Sequence, residues 1–108
     1  MNSKPVFVGE VGGLIYRVVE CDRPAVKDGE GKHYILCHEL LDYRPTEEEI
    51  GQLLGEAWQF GMKSSQGGRF RVAINGPGLA TMPHFHVHII VVDPSTKVMR
   101  LTDRIVAP

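Results

Sequence analysis

Three histidines alternate with apolar residues in His84-Phe85-His86-Val87-His88-Ile89-Ile90, the stretch of this 108-residue chain best equipped for chemistry. Side chains of an extended chain alternate between its two faces. The three imidazoles therefore form a row on one side, with Phe85, Val87 and Ile89 on the other. Two residues of strand advance about 6.6 Å, which sets His86 between two neighbours within reach of one phosphate-sized ligand. A neutral imidazole held by a hydrogen bond at Nδ1 keeps Nε2 free to attack phosphorus, and flanking imidazolium donors stabilise charge on phosphoryl oxygens. The same row could instead hold zinc or iron. That use calls for a nearby carboxylate, and Asp93, five residues past His88, falls on the opposite face by alternation. Burying three imidazoles without a task is costly, so a functionless row is the weakest of the three readings.

The surrounding pattern predicts the elements that hold this row. Leu14 to Glu20 follows a Gly12-Gly13 pair, is rich in β-branched residues and reads as a strand, with Pro5 to Val8 as a short edge strand before it. Asp22 to Lys32 mixes Pro24, Gly29 and Gly31 with charges and reads as a loop, and His33 to Cys37 as a second strand. Thr46-Glu47-Glu48-Glu49 is a capping box, and three acids in a first turn suit the helix dipole. Ile50, Leu53, Leu54, Ala57 and Trp58 repeat at helical spacing, so this helix packs one apolar face, Trp58 included, until Gly61 or the Ser64–Gly68 run ends it. Arg69 to Asn75 alternates as a half-buried strand, and His84 to Val92 is the last. Strands before and after a single helix favour an α+β fold, an antiparallel sheet with one main helix.

Once Asn75 is placed upstream at a strand end, the His-apolar-His-apolar-His-apolar-apolar run resembles the histidine triad superfamily of nucleotide hydrolases and transferases. The likeness covers about Tyr16 to Pro94 in element order and is close over the last twenty or so of those residues. It implies that His86 attacks an α-phosphorus to form a nucleotidyl-histidine that water then cleaves. His84 and His88 would orient the nucleophile, bind the phosphate or assist the leaving group, with the imidazoles supplying positive charge and no metal or cofactor required. Asn75 would contact the phosphate or ribose, Thr81 the leaving group or phosphate, and His33 would stand near the nucleophile. Asp22 is a weaker match to the family's ribose-holding acid, and His38 is placed at a strand end outside the site. The family's Gly-Gln before the Ser or Thr is replaced here by Leu79-Ala80, and its Ile-Pro-Lys after the earlier strand by Cys37-His38-Glu39. His88, where another branch has Gln, resembles the hydrolases. Family members pair as homodimers whose sheets join, and a chain this short with an apolar helix face gains burial by pairing.

Composition bounds these readings. The chain is 43% hydrophobic and 23% charged, which suits a single folded domain over residues 1–108. Twelve Lys plus Arg against thirteen Asp plus Glu give a net charge of −1, which favours neither nucleic acid nor an anionic membrane as partner. No apolar run nears the roughly 20 residues of a membrane span, no targeting segment is read, and Cys21 and Cys37 lack metal or disulfide spacing, so a cytoplasmic protein with free thiols is expected. The expected activity is hydrolysis of nucleoside phosphoramidates or dinucleoside polyphosphates. The alternatives are a metal-dependent enzyme or metal-binding module using His84, His86 and His88, and an idle nucleotide binder that has lost the Gln.

Overall fold

The computed structural model describes residues 4–27, 29–40, 42–79 and 84–95. Five strands and one helix follow one another as β1 (Phe7–Val11), β2 (Leu14–Glu20), β3 (Gly31–His38), α1 (Glu47–Ser64), β4 (Phe70–Ala73) and β5 (His86–Val92). All pairings are antiparallel and the sheet order is β1-β2-β3-β5-β4, the α+β arrangement expected. Gly12 and Gly13 both take positive φ, 55° and 83°, as a two-residue turn between right-twisted strands requires. No helix among the described residues is long and apolar enough to cross a membrane.

The capping box forms as the sequence dictates. The Glu49 N–H donates to Thr46 Oγ1 at 3.2 Å, and Glu49 Oε1 accepts from the Thr46 N–H at 2.8 Å. From there α1 lays Leu53 and Ala57 on one face of the sheet, into a core with Leu14, Tyr16, Val18, Leu36, Val87 and Ile89. Gly61 lets the last turn close on β4, since a Cβ there would collide with the Phe70 ring. Trp58 departs from the expectation. It lies at the margin of the apolar stripe, 58% exposed, with its ring edge-on to Phe70 at 4.9 Å between centroids.

The other sheet face carries no helix. Paired residues in an antiparallel ladder share a face. The register therefore gathers Ile35 with His88, Cys37 with His86 and His33 with Ile90 on this side. Beyond them Arg17 stands opposite Cys37 and Val19 opposite Ile35. A smaller core of Val26, Ile90 and Val92, with Ala25 and Ala73 against it, places residues 25 and 26 of the loop after β2 over the β3–β5 part of this face.

Two strands are shorter than the sequence pattern suggests. β4 ends at Ala73, opposite His88, so Asn75 lies two residues past the ladder. β5 begins at His86, and His84 sits in a bend before it.

Candidate functional site

His86 and His88 belong to β5 because its alternation sends Val87 and Ile89 into the helix-side core and the imidazoles to the opposite face. His33 joins them from β3. The rings form a continuous chain: His33 to His88 at 5.1 Å between centroids, His88 to His86 at 4.9 Å, and His86 to His84 at 5.6 Å. His84 takes part although it lies outside the strand, so the expected row of three strand histidines is a strand pair with one neighbour on each side. His33, His86 and His88 are 3%, 5% and 0% exposed.

Hydrogen bonds assign the protons. The Ala25 N–H donates to His33 Nδ1 at 2.9 Å, so that nitrogen is bare and the neutral ring carries its proton on Nε2. His33 Nε2–H then donates to His88 Nδ1 at 2.9 Å, which puts the proton of neutral His88 on its own Nε2. His86 is turned the other way, because its Nδ1 is 3.0 Å from the His84 carbonyl oxygen, which can only accept. Nδ1–H therefore donates, and in the neutral ring Nε2 keeps a lone pair.

The outcome is a bare Nε2 on His86 beside an Nε2–H on His88. Both atoms are buried and neither has a partner among the described residues; His84 Nε2 is in the same state. Leaving buried polar atoms unpaired costs about 1–3 kcal/mol each, so the fold bears a penalty along this row. An acceptor beside a donor at that spacing suits an electrophilic centre carrying oxygens, which is what a phosphoryl group offers.

Burial disfavours the charged forms of His33, His88 and His84. It pushes His33 down from 6.5 to about 4, with the neighbouring His86 adding to the effect, and His88 likewise to about 4, with His33 and then His86 contributing. His84 is lowered too, by burial first and His86 second. In the free protein His88 thus presents an N–H dipole at neutral pH, where the sequence suggested imidazolium charge on the residues flanking His86.

Asn75 is half-buried just past β4, on the flank next to β5. Thr81 lies outside the described residues. Asp22 is exposed in the loop that follows β2. His38 closes β3 on the helix side of the sheet, stacked on Tyr43 at 4.4 Å with its Nδ1 accepting from the Leu40 N–H, and takes no part in the row. Among the described residues no group of three or more His, Cys, Asp or Glu is disposed to hold a metal ion.

Three residues escape sequence reasoning. The Ala25 amide fixes the whole His33–His88 orientation, yet an alanine in a Pro-containing loop carries no signal. Arg17 and Cys37 come into line with His86 only through strand order, although the β2 alternation already separates Ile15, Arg17 and Val19 from Leu14, Tyr16 and Val18. No protein-family model, curated protein or solved structure matches this chain.

Proposed function

We propose that the chain is a hydrolase of the histidine triad kind, cleaving a nucleotidyl substrate at its α-phosphorus through His86. The observation that carries this reading is the oriented pair: His86 with Nδ1–H tied to the His84 carbonyl and Nε2 bare, beside His88 with Nε2–H presented. The His86 Nε2 lone pair attacks phosphorus and a nitrogen–phosphorus bond forms. The bond to the amine or phosphate leaving group breaks, its electron pair departing with that group, which takes up a proton. The His88 N–H holds a phosphoryl oxygen during the transfer, and His84 lies at the other side of the nucleophile. The positive charge that develops on His86 is shared through Nδ1–H with the His84 carbonyl. Water then attacks phosphorus, gives up a proton and returns the electron pair to Nε2, so protons balance over the cycle.

Asn75 and Thr81 would contact the phosphate, ribose or leaving group, and His33 acts through His88. Because both Nε2 atoms are shut off from solvent, substrate access requires this face to open. A cytoplasmic setting suits the free thiols of Cys21 and Cys37. A homodimer would cover the β4 edge together with Trp58 and Met62, 58% and 52% exposed and one helical turn apart; Trp58→Glu should then shift a sedimenting dimer to monomer.

The test is release of nucleoside monophosphate from adenosine phosphoramidate in excess chelator. Wild type should turn over, and His86→Ala should lose at least about 10³-fold in kcat. His86→Asn should lose turnover equally while still binding nucleotide. Full activity in His86→Ala would refute the nucleophile, and nucleotide binding without turnover in wild type would mark an idle binder.

A further inference from the structure

The ladder places Arg17 of β2, Cys37 of β3 and His86 of β5 in one rung on the same sheet face. Arg17 and His86 are two strand spacings apart, roughly 10 Å, with only the small Cys37 side chain between them. Cys37 is 4% exposed whereas Arg17 is exposed, so the cation stands at the rim of the buried row. Its charge is felt at the Cys37 thiol, where it opposes the upward push of burial. The salt bridge found among the described residues, Lys32 with Glu20, does not involve it. Arg71 shares this face but stands opposite Ile90, four residues along β5 from His86, and already has a partner.

Charge balance gives Arg17 its meaning. His33 and His88 are neutral in the free protein near pH 7, so the row itself offers dipoles to an anion and no full countercharge from those two rings. A substrate with a single phosphoryl group can be held by such dipoles. A polyphosphate carries further negative groups, and these need a cation a strand or two away from the attacked phosphorus.

Building on the hydrolase reading above, we propose that Arg17 is the specificity-determining residue of this site, binding the additional phosphates of a polyphosphate chain in line with His86, so that the substrate class is nucleoside or dinucleoside polyphosphates. Beside it Val8 and Ile15, 53% and 40% exposed, leave the approach over β1 and β2 open.

The experiment compares diadenosine tetraphosphate with adenosine phosphoramidate in wild type, Arg17→Gln and Arg17→Lys. Loss of a charge-assisted contact should lower kcat/KM for the tetraphosphate about tenfold to a hundredfold in Arg17→Gln, with partial recovery in Arg17→Lys and the phosphoramidate unaffected. An equal loss on both substrates, or no loss on either, overturns the assignment. Binding separates this proposal from the reading beneath it. By thermal shift, His86→Asn should be stabilised more by ATP than by AMP, and Arg17→Gln in that background should erase the difference. A protein that turns over neither substrate yet shows this difference retains the Arg17 assignment and loses the hydrolase reading. ATP and AMP binding alike overturns Arg17 alone, and no nucleotide binding at all overturns both.

Discussion

Along β5 the side chains of Val87 and Ile89 enter the helix-side core, while those of His86 and His88, one residue away each time, enter the opposite face to the same depth. On the helix side the groups at that depth are mainly apolar with apolar neighbours from β2, β3 and α1, and the Tyr16 hydroxyl there is paired with Glu56. On the other side the buried atoms include three imidazole nitrogens with no partner among the described residues. Burial stabilises the first face by the usual transfer of apolar surface from water and penalises the second by unpaired polar atoms. A period of two thus lets one strand anchor the fold and carry the candidate site at once.

The largest expected effect tests the first half of that contrast. Leu36→Ala removes a side chain that is 0% exposed in the helix-side core and should cost about 2–5 kcal/mol by urea unfolding. His86→Leu on the other face should leave stability within about 1 kcal/mol of wild type, since it removes an unpaired nitrogen as well as the bond to the His84 carbonyl. A destabilisation as large as that of Leu36→Ala would erase the distinction between the faces.

A double-mutant cycle sharpens it further. His88→Leu strands the His33 Nε2–H, and His33→Leu strands His88 Nδ1 and removes the acceptor of the Ala25 N–H. The double variant leaves neither imidazole behind to be stranded. The double should therefore be less destabilised than the two single changes summed, with a coupling of about 0.5–3 kcal/mol. Strict additivity would mean that the two rings do not share a proton-directed bond.

The last test is pH. The unfolded chain takes up protons on His33 and His88 near 6.5, whereas the folded pair resists until about 4. Stability from this source is fully present above 6.5, declines as pH drops through the interval and levels off below about 4. Thermal unfolding of wild type should show the decline, and the His33→Leu/His88→Leu variant should show less of it.

Much of the scaffold was legible in the residues. The bounds of β2 follow from its β-branched run, the start of α1 from the Thr46 capping box, and the facing of His86 and His88 from strict alternation. What alternation does not specify is which strand lies beside which. The order β1-β2-β3-β5-β4 brings His33 against His88 and aligns Arg17 with His86, and it arises from packing distant in sequence. The strand ends also escaped, because β4 stops where its ladder with β5 stops, at Ala73 opposite His88, although the alternating pattern runs on to Asn75. Trp58 shows the same limit on a helix: spacing put it on the apolar face, whereas the helix buries Leu53, Ala57 and Gly61 and leaves Trp58 at the margin.

The acceptor that turns His86 is a peptide carbonyl, that of residue 84. Every amino acid supplies one, so the direction in which His86 Nε2 points is insulated from side-chain replacement at position 84 and is vulnerable instead to rotation of the peptide plane. The imidazole of His84 can accordingly be exchanged while the orientation of the His86 ring is kept, and an amide-to-ester substitution, which weakens the backbone acceptor at a chosen peptide bond, becomes the alteration that reaches that orientation itself.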